Sequence, residues 1–184
     1  MTNTLKQFDD IIGRCRQVFL EKNKDYGTSW RILRPSSLTD QLYIKAKRIR
    51  SIEEKGIQKV DDPLEGEYMG LINYAIMALI QMDIAEDAVL EMPAEEVALL
   101  YDQEVRETKN LLSAKNHDYG EVWREMRLSS IVDLILAKLL RIKRIEDNLG
   151  QTLISEGTDA NYRDIINYAI FSLILLQEKE AKTE

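Results

Sequence analysis

The chain is written twice. KNKDYGTSWRILRPSS at residues 22–37 matches KNHDYGEVWREMRLSS at residues 115–130, 93 positions later. The register then holds through Asp40/Asp133, Lys45/Lys138, Arg48/Arg141, Ile49/Ile142, Ile52/Ile145 and Glu53/Glu146. After one inserted residue it resumes, with Tyr68 opposite Tyr162 and INYAI at 72–76 opposite INYAI at 166–170. Shared polar residues over so long a stretch mark a duplicated unit rather than two helices of similar composition. The boundary falls near Met92–Pro93, where proline suits the first turn of a new helix. This divides the chain into a repeat at 1–91 and a repeat at 92–184. Two copies of one unit must bury the same faces, and a pseudo-twofold pairing does so economically.

Each repeat reads as three helices. Leu5, Phe8, Ile11, Ile12, Cys15, Val18 and Phe19 recur at helical spacing. The first helix is expected to stop at Asp25-Tyr26-Gly27, where glycine takes a left-handed cap. Ser36 or Ser37 is expected to cap the second helix, and Gly56 to end it. The third is expected from about Glu65 to Asp87. In the second repeat the expected helices are 93–116 with a stop at Gly120, 130–149 with a stop at Gly150, and one capped by Thr158 or Asp159 that runs to about Lys179. Glycine and proline together number 11 of 184 residues, about half of average usage, which argues against a turn-rich β fold. The expected fold is therefore all-α: two tandem three-helix repeats packed as one pseudo-twofold six-helix bundle.

Charge and cysteine usage narrow the function. The net charge of −7 repels long nucleic acid. Cys15 is the only cysteine, so no intrachain disulfide forms, which fits a reducing compartment. The opening MTNTLKQFDD lacks a basic and an apolar region, and no apolar run reaches the ~20 residues of a membrane helix. A cytoplasmic protein without membrane contact is the expectation. Homo-oligomerisation stays open.

The two copies serve as each other's comparison. The first shared group follows helix one: Lys22, Asn23, Asp25, Tyr26, Gly27, Trp30, Arg31 and Arg34, matched by Lys115, Asn116, Asp118, Tyr119, Gly120, Trp123, Arg124 and Arg127. Aromatic rings there can stack a base, and cations can hold phosphate oxygens. The same pattern also suits a helix stop followed by aromatic plugs into the core. The second group, Lys45/Arg48 and Lys138/Arg141, shares a helix face with Ile49/Ile52 and Ile142/Ile145. Cations on an apolar seam need anions. The candidates are Asp40, Glu53, Asp133 and Glu146, or an incoming phosphate. Long side chains snorkelling past the core edge are the structural alternative. The third group, Asn73/Tyr74 and Asn167/Tyr168, lies in the most apolar helix, where a buried amide either binds a ligand or locks register.

Other chemistries find little support. His117, the only histidine, stands opposite Lys24, so no imidazole mechanism is common to both repeats. Cys15 faces Thr108 in the alignment and has no partner base. Walker, GxGxxG, CxxC and HExxH motifs are absent. Carboxylates that could hold Mg²⁺ concentrate in the second repeat: Glu104, Glu107, Glu146, Asp147, Glu156, Asp159 and Asp164. Their first-repeat equivalents include Ile11, Arg14 and Gly70.

The set KNxDYGxxW, KxxRI and DxxNYA resembles nucleotide modification associated domain 1, present here twice and covering most of the chain. That family is distantly similar to MazG-type all-α nucleotide pyrophosphohydrolases, which implies small phosphorylated nucleotides as partners and Mg²⁺ as cofactor. Carried over by position, the resemblance implies ligand contacts from Lys115, Asn116, Asp118, Tyr119, Trp123, Lys138, Arg141 and Asn167. In the first repeat the matching positions are Lys22, Asn23, Asp25, Tyr26, Trp30, Lys45, Arg48 and Asn73; Arg31 and Arg124 join from the shared loops. Asp164, with Asp118, is the implied metal pair. The MazG-type EExxE is absent, and KxxR occupies its place in both repeats.

The expectation is a nucleotide-binding protein of nucleotide metabolism or modification, with weak or diverged pyrophosphohydrolase chemistry where it is an enzyme at all. Its competitor is a non-enzymatic helical scaffold clamped by salt bridges. The two part at the cations: either a cleft lies open beside them, or neighbouring acids saturate every one.

Overall fold

A computed structural model of the chain describes residues 3–56, 63–84 and 88–182. It contains six α-helices: α1 (Asn3–Tyr26), α2 (Pro35–Lys55), α3 (Leu64–Asp83), α4 (Ala94–Tyr119), α5 (Leu128–Asp147) and α6 (Thr158–Glu180). Short 3₁₀ turns at Ser29–Ile32 and Val122–Glu125 follow α1 and α4. No strand occurs among the described residues. The fold is the expected all-helical bundle.

The helix ends differ from the sequence expectation in instructive ways. Ser36 and Ser37 lie inside α2 and cap nothing; the helix begins at Pro35, with Arg34 as N-cap and no side-chain cap. Proline's fixed φ makes the first helical position available to it. The second repeat likewise starts α5 at Leu128, ahead of Ser130, and ends it at Asp147. The chain then turns through Leu149 (φ 55°) and Gly150 (φ 79°). Neither Thr158 nor Asp159 caps α6, whose N-cap is Gly157. The helix of the first repeat that was expected to reach Asp87 ends at Asp83, and Asp87 lies outside the described residues. Helices α1 and α4 end at Tyr26 and Tyr119, each followed by a glycine with positive φ (Gly27, 61°; Gly120, 68°). At Gly27 a Cβ would also collide with the Glu91 carboxylate.

Helices α2, α3, α6 and α5 pack in a ring in which each touches the next, and α1 with α4 closes over α3 and α6. Helices α3 and α6 are apolar on nearly every face because they are covered on all sides. Leu71, Ile72, Ala75 and Ile76 are buried on one, Ile165, Ile166, Ala169 and Ile170 on the other.

Two sets of salt bridges reproduce the pseudo-twofold residue by residue. Between α1 and α4, Arg16 holds Asp102 at 2.7 and 2.9 Å, and Lys109 holds Asp9 at 2.6 and 2.8 Å. Residues 16 and 109 are equivalent, as are 9 and 102. Between α2 and α5, Lys143 reaches Asp40 at 2.7 Å and Arg50 reaches Asp133 at 3.4 Å, again an equivalent pair crossed. An isologous interface has this property: if i contacts j, then j contacts i.

Candidate functional site

The repeated motif lines a cavity in each half. In the first, Lys22, Asn23, Tyr26, Trp30, Lys45, Asn73 and Tyr74 surround about 560 Å³ between the end of α1, the 3₁₀ turn and α3. In the second, Lys115, Asn116, Tyr119, Trp123, Asp164, Asn167 and Tyr168 surround about 200 Å³. Two substitutions account for the difference. Phe171 stacks on Trp123 with ring centroids 4.1 Å apart and planes 4° from parallel, where the first repeat has the slimmer Met77. Asp164 stands where the first repeat has Gly70. A Cβ there would strike the Lys45 side chain at 2.8 Å, so Lys45 occupies the space that the missing side chain leaves.

The amides are used unequally. Asn73 donates to the Cys15 carbonyl at 3.0 Å and accepts from the Tyr101 hydroxyl at 2.9 Å. It is the register lock that one sequence reading allowed. Its twin Asn167 is 4% exposed, and neither its Nδ2 nor its Oδ1 has a partner among the described residues. In the first loop Trp30 Nε1 donates to Asn23 Oδ1 at 3.3 Å. In the second, Trp123 Nε1 is unpaired, while Asn23 Nδ2 and Asn116 Nδ2 lack a partner alike in both repeats.

The cations on α2 and α5 meet anions that the sequence reading did not nominate. In the first repeat Arg48 pairs with the buried Glu67, and Lys45 lies 3.7 Å from the same carboxylate. In the second, Lys115 and Lys138 both bind Asp164, at 2.5 and 2.7 Å. Of the nominated carboxylates, Asp40 and Asp133 serve Lys143 and Arg50, and Glu146 accepts from Thr39 at 2.7 Å and Tyr162 at 3.3 Å. The Glu53 carboxyl is held above its ordinary range by burial and by the charges of Asp133 and Glu54. Glu67 was legible in principle: it sits one turn before Gly70 and so on the same face of α3.

The equivalent of Glu67 is Asn161. Arg141, the equivalent of Arg48, therefore lacks the carboxylate that Arg48 meets on the third helix of its repeat. It is exposed, with no ion pair among the described residues, and it borders a cleft of about 880 Å³ with Lys138, Arg144, Asn161 and the 148–156 loop. Lys138 forms part of this cleft's wall while its ammonium bonds Asp164 in the wall of the second cavity. The two spaces thus adjoin through one ion pair. Burial and the Asp164 charge raise the Tyr168 hydroxyl above its ordinary pKa, against a lowering by Lys115 and Arg141.

Several nominated residues serve the fold instead. Arg31 is buried, pairs with Gln81 and points toward the carbonyls of Ala88 and Val89. Arg124 stacks over Trp123 and binds Glu121 at 2.8 Å and Glu178 at 2.6 Å, with Gln7 at 2.7 Å. Neither lines a cavity. Asp25 is exposed and lines neither. Asp118 is exposed and 3.1 Å from His117 Nδ1. Asp164 is committed to two ammonium groups, and no cluster of three or more His, Cys, Asp or Glu gathers among the described residues. These groups do not compose a Mg²⁺ site. The buried Cys15 thiol is pushed up to about 12 by desolvation, which removes it as a nucleophile at neutral pH. Glu104, also buried, is raised to about 7 by desolvation even though Arg163 lies 2.8 Å away. No helix among the described residues is long and apolar enough to cross a membrane.

No curated protein and no solved structure matches the chain. These comparisons give the expected MazG likeness no support. The family model described as nucleotide modification associated domain 1 matches residues 22–82 and 115–176, one copy in each repeat.

Proposed function

The chain belongs to the nucleotide modification associated domain 1 family, and we propose that it binds a small phosphorylated nucleotide in its second repeat. One observation carries this reading: exchange of Glu67 for Asn161 leaves Arg141 without an ion pair among the described residues, beside a cleft that Arg144, Lys138 and the single carboxylate Glu156 also border. A guanidinium with no carboxylate is ready to take phosphate oxygens bidentately. The neighbouring cavity supplies what a base needs, with the ring of Tyr168, the rim tyrosine Tyr119 and the amides of Asn116 and Asn167. The phosphates lie in the cleft, the base in the cavity, and the Lys138–Asp164 pair between them. The first repeat is less suited to phosphate, because Glu67 neutralises Arg48. No hydrolytic step is assigned, since Asp164 is already neutralised by two lysines.

A thermal-shift screen of nucleoside mono-, di- and triphosphates, with and without Mg²⁺, tests this reading. A ligand at 100 times its dissociation constant adds about 2.7 kcal/mol. Arg141→Ala is expected to erase the shift without altering the unliganded melt. A panel with no stabilising nucleotide, or full stabilisation of the alanine variant, rejects it.

A further inference from the structure

The second INYAI asparagine has kept its place and lost its partners. Asn73 is satisfied by the Cys15 carbonyl and the Tyr101 hydroxyl. The residue equivalent to Tyr101 is Phe8, which has no hydroxyl to offer. A buried polar group left unmet costs about 1–3 kcal/mol, and leucine, of similar size, would fill the space without that cost. The amide is therefore positioned for something that the chain itself does not supply.

Three donor groups and one acceptor on residues that line the second cavity are unmet among the described residues: Asn167 Nδ2, Asn116 Nδ2, Trp123 Nε1 and Asn167 Oδ1. A matching ligand offers more carbonyls than N–H groups. The volume of about 200 Å³ is below the 300–1,000 Å³ typical of sites for whole drug-sized ligands, so it suits a single base with its sugar outside. We infer that Asn167 reads the edge of a 2,4-dioxopyrimidine, a uracil- or thymine-type base, whose carbonyl, N–H, carbonyl sequence complements this wall. The inference rests on the nucleotide reading above and makes Asn167 its specificity determinant. The first repeat cannot read a base in this way, because Asn73 is occupied.

The test uses the full chain with Trp30→Phe, so that Trp123 is the only indole. Uridine, cytidine and adenosine are titrated against its fluorescence, and inorganic tripolyphosphate is titrated by calorimetry. Uridine is expected to perturb Trp123 and to bind most tightly. Asn167→Leu should weaken uridine at least about tenfold, as loss of a bidentate base contact does, while tripolyphosphate affinity holds and the melting temperature does not fall. A purely structural asparagine would lower the melt instead. Phe8→Tyr, which restores the hydroxyl found at the equivalent Tyr101, should weaken uridine in the same way. Uridine that leaves Trp123 unperturbed, adenosine that binds as well as uridine, or unchanged uridine affinity in Asn167→Leu overturns the inference. Uridine binding that depends on Asn167, with no tripolyphosphate binding and no effect of Arg141→Ala, upholds it and rejects the phosphate placement.

Discussion

Lys138 donates to Asp164 at 2.7 Å, at the point where the equivalent lysine of the first repeat lies across a glycine. The cation was duplicated and kept, while its anion moved by one helical turn, from position 67 on α3 to position 164 on α6. Asp164→Ala leaves Lys138 largely buried with no anion. Loss of about 3 kcal/mol in urea unfolding is expected, the low end for a broken buried pair because Lys115 is half exposed. A loss within ±0.5 kcal/mol would mean that the pair carries no structural weight.

Equivalent arginines should respond differently to the same substitution. Arg48→Ala leaves the buried Glu67 with Lys45, at 3.7 Å, as its remaining cation among the described residues, and about 3 kcal/mol of stability should go with it. Arg141→Ala removes an exposed side chain with no ion pair among the described residues and should stay within about 0.5 kcal/mol. Parallel chemical denaturation of the two variants checks this. Equal losses would show that Arg141 has a partner.

The contribution of Glu104 to stability should fall as the solution becomes less acidic. Desolvation raises Glu104 to about 7 in the folded chain, so the folded state holds that proton more tightly than the unfolded state. Its stability contribution is greatest below the ordinary carboxylate range, declines as pH rises toward 7, and is flat above. Burial raises Glu53 and Glu146 in the same direction. The melting temperature of Glu104→Gln should therefore gain on that of the parent as pH rises from 4 to 8, since the variant lacks the Glu104 part of the slope. An unaltered slope would place the titration elsewhere.

Phe171→Met copies the first repeat into the second. Losing the stack on Trp123 should cost about 1 kcal/mol. Trp123 emission should shift to the red as its cavity opens toward the larger first-repeat volume. An unshifted spectrum would show that the ring is not what closes the cavity.

Helix number and order were legible because the repeat could be read against itself. So was the convergence of the KNxDYGxxW loop with the INYAI helix, since both copies kept polar residues in otherwise apolar surroundings. The roles of Arg31 and Arg124 were not legible. Both are shared by the repeats and both look like phosphate ligands, yet their partners are Gln81 and Glu178, distant in sequence. Glu67 was passed over for a related reason: it has no equivalent carboxylate in the second repeat, so comparing the copies hid it.

The sequence by itself determined a duplicated all-helical chain, its pseudo-twofold, and the residue types that line each cavity. Periodicity and repetition are properties of the chain order, and they are readable without coordinates. Tertiary structure alone decided which of two identical residues is spent and which is free. A hydrogen bond or ion pair is a distance between groups far apart in sequence. Asn73 and Asn167, or Arg48 and Arg141, differ only in what a neighbouring helix brings to them.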